Sequence, residues 1–314
     1  MFAGCKNVGK IAFVFAGQGA QYTGMGRELY ESSPAARKVL DQAEAIRPGT
    51  LHQCFEGSAE ELAITENTQP CLFAVEQACA AAAVEKGMEP NMCAGFSLGE
   101  TAAAAFTRML PFEKAFAFVK VRAKLMQACA ENQPGFMAAV LRLESEQVES
   151  LCLKFEQVYP VNFNAPGQVV VSGAAAQKDG FLQAVTGLGG RAMPLKVGGA
   201  FHSPFMSDAA SSLQTWLQES GLAVPEIPLY ANRTALPYEG DIISLLSSQV
   251  DHPVLWEQTV RNMASNGSDL FVELGPGTVL SGLIRKIMPE ATVCHVENTA
   301  SLLETAAILE GRKA

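Results

Sequence analysis

The sequence predicts a large α/β domain built on a parallel sheet, with a smaller α/β unit inserted near its middle. Three observations carry this. Short apolar runs alternate with helical periodicity before residue 133, residues 95–99 spell a strand-turn-helix elbow, and 133–198 read strand, helix, strand, strand, helix, strand. In order along the chain, Ile11-Ala12-Phe13-Val14-Phe15 suits a buried parallel strand and breaks at Ala16-Gly17-Gln18-Gly19-Ala20-Gln21. Helical patterns follow at 34–46, 68–86, 100–108 and 112–130, with a strand at 91–95 between the second and third. After Gln133-Pro134-Gly135, strands at 137–141, 158–163, 168–172 and 191–195 enclose helices at 145–155 and 175–186. This βαββαβ order is the ferredoxin-like one. From Phe205 helices and strands resume and lead to Leu270-Phe271-Val272-Glu273-Leu274, the turn Gly275-Pro276-Gly277 and a further helix. The expected division is 1–132 with 199–314 as the large domain and 133–198 inserted in it.

The elbow Gly95-Phe96-Ser97-Leu98-Gly99 sits between a short apolar run, Met92-Cys93-Ala94, and a strongly helical stretch from Glu100 to Phe106. A turn this sharp brings backbone against backbone on both sides of the serine, where only glycine lacks the clashing Cβ. The large domain is therefore expected to be α/β-hydrolase-like, with Ser97 raised at a helix N-terminus where free N–H groups favour a developing oxyanion. That is the chemistry of acyl transfer. The loop after the first strand has glycines at 17, 19, 24 and 26, but no Gly-Lys-Ser/Thr and no G-x-G-x-x-G. It reads instead as a strand-end loop whose backbone, around Gln18 and Gln21, faces a site at the carboxyl edge of the sheet.

Composition narrows the class further. With 48% apolar and 18% charged residues the chain is expected to be globular, and no apolar stretch reaches the ~18 residues a membrane span needs. Met1 to Lys10 does not read as a secretory signal, so a cytoplasmic protein is expected. Eight cysteines, at 5, 54, 71, 79, 93, 129, 152 and 294, form no C-x-x-C pair and read as reduced core thiols, with neither metal site nor disulfide framework. A formal charge of −9 argues against nucleic-acid binding. No coiled coil or long apolar stripe is evident, so a monomer is expected.

A serine nucleophile needs a base, and the chain has four histidines, at 52, 202, 252 and 295. His202 lies in Gly198-Gly199-Ala200-Phe201-His202-Ser203-Pro204, a small-residue loop where the inserted unit returns to the large domain. Such a junction is a natural cleft, which favours His202 over a surface role. Arg122, within Val121-Arg122-Ala123-Lys124-Leu125-Met126-Gln127, reads by itself as an exposed helix arginine.

Taken together, Gly17-Gln18-Gly19-Ala20-Gln21, Gly95-Phe96-Ser97-Leu98-Gly99-Glu100, the segment around Arg122, Asn162-Phe163-Asn164-Ala165-Pro166-Gly167-Gln168, Ala200-Phe201-His202-Ser203 and Glu273-Leu274-Gly275-Pro276-Gly277 resemble the malonyl-CoA:acyl carrier protein transacylases of fatty acid synthesis. The resemblance runs from Ile11 to about Glu297. It implies that Ser97 attacks the malonyl thioester to give malonyl-serine, with His202 as base, and that the group then passes to the phosphopantetheine thiol of acyl carrier protein. It implies an oxyanion hole from the N–H groups of Gln18 and Leu98, and a histidine oriented by the backbone carbonyl of Gln249 in place of a carboxylate. Arg122 becomes the fork for the malonyl carboxylate. Phe201 fills the space an α-methyl branch needs, and Asn162 and Asn164 shape the site. No bound cofactor or metal is implied; the substrate is malonyl-CoA and the partner is acyl carrier protein.

Two positions depart from the family pattern: Phe96 replaces a usual histidine, and Thr101 stands where an aromatic often follows the glutamate. Neither removes a chemical group proposed for the reaction, but Phe96 leaves acyl selectivity open. The carrier is acidic, so docking on this acidic chain needs local cations, for which Arg191, Lys196, Arg285 and Lys286 are candidates. Three other functions share features with this reading. One is a serine thioesterase or esterase using Asp269 and His295, the second is a non-catalytic carrier-binding module, and the third is a stand-alone acyltransferase serving a polyketide synthase.

Overall fold

Residues 11–15 are apolar at every position because both faces of the strand they form are covered. In the computed structural model, which describes residues 9–313 without the side chain of Lys313, Ala12, Phe13, Val14 and Phe15 are fully buried. The reading of Cys5, and that of residues 1–8, lies outside the described residues.

Strand β1 (Lys10–Phe15) is followed by α1 (Arg27–Ser32), α2 (Pro34–Ile46), α3 (Thr50–Glu56) and α4 (Thr65–Glu85). The elbow elements come next, β2 (Met92–Gly95) and α5 (Leu98–Phe106), and then α6 (Phe112–Asn132). The middle of the chain forms β3 (Gly135–Leu141), α7 (Ser145–Cys152), β4 (Val158–Ala165), β5 (Gln168–Ala174), α8 (Lys178–Gly187) and β6 (Arg191–Pro194). It closes with α9 (Ser207–Ser220), β7 (Leu229–Tyr230), α10 (Ile242–Ser247), α11 (Trp256–Ser265), β8 (Ser268–Leu274), α12 (Val279–Ile287), β9 (Thr292–Val296) and α13 (Thr299–Lys313).

The larger sheet is wholly parallel, in the order β7-β2-β1-β8-β9. Alternation along β1 sends Phe13 and Phe15 into a core shared with α4, α5 and α6, and Ala12 and Val14 into one shared with α11 and α12. The smaller sheet is antiparallel, in the order β4-β5-β3-β6, which is the ferredoxin-like arrangement for a βαββαβ chain. One of its faces packs Phe136, Ala138 and Val140 against Phe181 and Val185 of α8. The other face presents Met137, Ala139 and Val170 to a cavity that the carboxyl edge of the parallel sheet also borders.

The structure adjusts several expectations. Helix α4 begins at Thr65 instead of 68 and carries Pro70 inside it. It is buried almost all round, so tertiary packing outweighs the preference of proline for a first turn. Helix α5 starts at Leu98, directly after Ser97 of the elbow, and α7 stops at Cys152. The stretch from 175 opens with a 3₁₀ turn, Ala175–Gln177, before α8. Strand β6 ends at Pro194, which has no N–H for the ladder. The short helices α1 and α3 and the two-residue β7 had no periodic signal to announce them. Among the described residues no helix is long and apolar enough to cross a membrane.

Candidate active site

The elbow is as tight as its glycines require. A Cβ on Gly95 would stand 2.0 Å from the backbone of Gly99, and one on Gly99 would stand 2.3 Å from the carbonyl oxygens of Phe15 and Ala16. Between them Ser97 adopts φ 54° and ψ −105°, a conformation that costs a non-glycine residue about 1–3 kcal/mol. The consequence is a hydroxyl held clear of the helix it precedes.

That hydroxyl meets His202, with Ser97 Oγ 2.7 Å from His202 Nε2. His202 Nδ1 is 2.9 Å from the backbone carbonyl of Gln249, so it carries the proton and donates, which leaves Nε2 free to accept from the serine. Burial, helped by the charge of Arg122, pushes the His202 imidazole down to about 4. His202 is therefore neutral and able to act as a base. It is itself at positive φ, 61°, and its N–H donates to the carbonyl of Val250.

Arg122 is not exposed, as the isolated helix pattern suggested; it is 2% accessible and its Nη2 lies 3.3 Å from Ser97 Oγ. It donates to two neutral acceptors, Gln69 Oε1 at 2.7 Å and Gln249 Oε1 at 2.9 Å. Burial lowers its affinity for the proton to about 10, partly offset by Glu100, which still leaves it cationic at neutral pH. A buried guanidinium with neutral amide partners, beside a serine hydroxyl, has the chemistry to take up an anion.

The cavity beside these groups has a volume of about 270 Å³. Gln18, Ser97, His202 and Phe201 line it, as do Asn162 and Asn164, which lie within β4. The side-chain oxygen of Asn164 is buried without a partner among the described residues. The backbone N–H groups of Gln18 and Leu98 make no hydrogen bond among the described residues, and both belong to segments that border Ser97. Phe96 faces the cavity and packs edge-on against Trp256, with ring centroids 5.5 Å apart.

Of the docking candidates, Lys196 is exposed between Leu195 and Val197, which line the cavity. Lys286 donates to Gln168, another lining residue, at 3.0 Å. Arg191 is exposed at the far end of β6, and Arg285 is turned towards β9, donating to the carbonyl of Val293. The esterase alternative finds no geometry: the Asp269 carboxylate pairs with Arg312, and His295 faces Glu297 at 3.7 Å. His52 and His252 likewise pair with acids, Glu56 and Asp251.

The sequence reading gave no role to three residues around the site, of which only Glu100 belonged to a motif that it quoted. Gln69 holds Arg122, the side chain of Asn232 accepts from the Ser97 N–H at 2.7 Å, and Glu100 accepts from the Asn232 N–H at 2.9 Å. The available signal for Asn232 was its position, a polar residue just past a short apolar segment at the carboxyl edge of a parallel sheet.

Comparison with known proteins places the chain in a family. Residues 12–304 match the acyl transferase domain family. The malonyl CoA-acyl carrier protein transacylase of Bacillus subtilis (strain 168) is 37% identical over 286 residues, spanning 88% of this chain and 90% of that protein. The crystal structure of malonyl CoA-acyl carrier protein transacylase from Clostridium perfringens superposes with a TM-score of 0.93 at 34% identity, covering 97% of this chain and 98% of that one. A malonyl-transacylase solved in complex with its type II polyketide synthase acyl-carrier protein gives a TM-score of 0.92 at 32% identity, covering 95% of this chain and 99% of its own.

Proposed function

The chain belongs to the acyl transferase family, and within it to the malonyl-CoA:acyl carrier protein transacylases, and on that footing we propose that it moves malonyl from malonyl-CoA to the phosphopantetheine thiol of acyl carrier protein through a malonyl-serine. The observation that carries the malonyl assignment is Arg122, a buried cation 3.3 Å from Ser97 Oγ whose partners are both neutral amides.

In the first half-reaction Ser97 Oγ attacks the thioester carbon while His202 Nε2 takes its proton. The tetrahedral oxyanion lies against the N–H groups of Gln18 and Leu98. Collapse expels the CoA thiolate, which recovers the proton from His202. The carrier thiol then enters, gives its proton to His202 and attacks the malonyl-serine, and Ser97 leaves with that proton. Gln249 steadies the imidazolium through its carbonyl, doing the work of a carboxylate at less cost in buried charge. Arg122 binds the malonyl carboxylate bidentately, and Phe201 crowds the α-carbon. One methyl there is worth only ~1–3 kcal/mol, so methylmalonyl is disfavoured rather than excluded. Asn162 and Asn164 supply polar contacts along the cavity wall. The reaction as proposed draws on no cofactor and no metal.

We place the carrier at the cavity mouth, with Lys196 and Lys286 as its closest cations and Arg191 and Arg285 further out. In this reading 1–132 and 199–314 form a single catalytic unit interrupted by 133–198, acting as a monomer in the cytoplasm and supplying fatty acid elongation. The relative solved with a polyketide carrier makes that carrier the second one to try.

Intact-mass spectrometry after brief mixing with malonyl-CoA tests the reading. A malonyl adduct is expected on the native chain, absent from Ser97→Ala and much reduced in Arg122→Ala, with little labelling by acetyl-CoA. Equal labelling by acetyl-CoA, or none by malonyl-CoA, would overturn it.

A further inference from the structure

Ser97 is held in a backbone conformation it would not adopt alone, and the groups that hold it come from distant parts of the chain. Asn232 is the centre of that hold. Its Oδ1 accepts from the Ser97 N–H at 2.7 Å and its Nδ2 donates to the Gly95 carbonyl at 2.5 Å, so one side chain grips the elbow at two points. Its backbone is fixed just as fully, with the N–H donating to Glu100 Oε1 at 2.9 Å and the carbonyl accepting from Leu255 at 2.9 Å. Asn232 is 1% accessible, and all four of its hydrogen-bonding groups are used.

The fold delivers Asn232 by strand pairing. In β7, Leu229 and Tyr230 pair in parallel with Cys93 and Ala94 of β2, so two residues further on each strand Asn232 arrives beside Phe96 and Ser97. Glu100 stands one helical turn after the nucleophile and is fully buried. Its Oε1 takes both the Asn232 N–H and the Tyr238 hydroxyl, the latter at 2.6 Å. Tyr238 in turn donates its N–H to Leu229 of β7. Ser97, Asn232 and Glu100 thereby close a ring that begins and ends on the elbow.

We propose that Asn232, itself fixed by Glu100 and Tyr238, is a positioning residue that holds Ser97 in its attacking conformation. It touches no reacting atom and acts through the Ser97 peptide. Near-attack geometry is steep, and a displacement of about 1 Å costs on the order of 100-fold in rate. Removing Asn232 should therefore slow attack by Ser97 while leaving Arg122 to bind malonyl-CoA.

The proposal rests on Ser97 being the nucleophile, and the experiment separates the two. Single-turnover acylation is followed by intact mass for the wild type, Asn232→Ala, Glu100→Ala, Glu100→Gln and the double variant Asn232→Ala/Glu100→Ala. A fluorophosphonate serves as a second acylating probe that needs no malonyl recognition. Asn232→Ala is expected to lose at least about tenfold in the acylation rate with both reagents, with KM for malonyl-CoA within about twofold. Glu100→Gln keeps the oxygen that accepts from Asn232 and Tyr238 and should stay near the wild-type rate, whereas Glu100→Ala should fall with Asn232→Ala. Because Glu100 reaches Ser97 through Asn232, the double variant should be no slower than Asn232→Ala alone towards the fluorophosphonate, which does not call on Arg122. Wild-type speed in Asn232→Ala, or independent multiplying losses in the double variant, would overturn the proposal. Should Asn232→Ala fail to fold, the Glu100 pair decides it: equal rates in Glu100→Gln and Glu100→Ala would overturn it. A wild type that reacts with the fluorophosphonate but not with malonyl-CoA counts against the proposed function alone.

Discussion

His202 resists protonation because burial and the Arg122 cation both oppose a second positive charge in the site. With the ordinary value at 6.5 and the folded value at about 4, the unfolded chain binds more protons between those limits. The contribution of this group to stability is thus complete above 6.5 and is lost as the pH falls towards 4. In a histidine NMR titration the His202 signal should move with a midpoint well below the ordinary imidazole value, and Arg122→Met should move that midpoint upward. A His202 midpoint at the ordinary value in the wild type would contradict this. Ser97, His202 and Arg122 stand out in the sequence because each sits in a short local pattern, though Arg122 needed a family likeness to be told from a surface arginine. Gln69 and Asn232 had no such pattern. Each is an amide whose importance comes only from what distant strands and helices bring against it.

Helix α12 shows how an element can be finished by a residue outside it. Its first turn has no side-chain cap of its own, and the buried carboxylate of Glu273, at the end of β8, accepts from the N–H groups of Leu280 and Ser281 at 2.9 and 2.7 Å. Because Leu280 and Leu283 line the cavity, this bond fixes a wall of the site as well as a helix end. Glu273→Ala should cost about 1–3 kcal/mol in chemical denaturation by leaving buried donors unmet, and Glu273→Gln less. The elbow is less forgiving. In Gly99→Ala the new methyl would meet two backbone carbonyls that cannot swing aside, so a loss above about 3 kcal/mol or failure to fold is expected. Among elements, α9 and α13 were given no bounds, whereas α2, α4, α6 and the four strands of the small sheet were legible from their apolar patterns. Strand β7 was not, because two residues cannot show a period and it exists only by pairing with β2.

At the scale of the whole molecule, the parallel and antiparallel sheets share one cavity, and the cations proposed for docking lie on an otherwise acidic chain of net charge −9. If Lys196 and Lys286 steer the carrier, the double variant Lys196→Glu/Lys286→Glu should slow transfer to acyl carrier protein several-fold at low salt and converge with the wild type as salt rises, while self-acylation by malonyl-CoA stays unchanged. Stopped-flow transfer rates across a salt series would show it; a salt-independent defect would not fit steering. The order in which the site is assembled has a further consequence. Ser97 lies 105 residues before His202 and 152 before Gln249, and the central strand β1 waits for β8, some 258 residues later, before both its edges are paired. During synthesis the serine therefore emerges long before its base, its histidine carbonyl and the second neighbour of its sheet. A chain still on the ribosome, or one truncated before residue 249, carries the nucleophile motif without the means to use it. Under the proposed mechanism, thioesters are safe from it until Gln249 and β8 have been made.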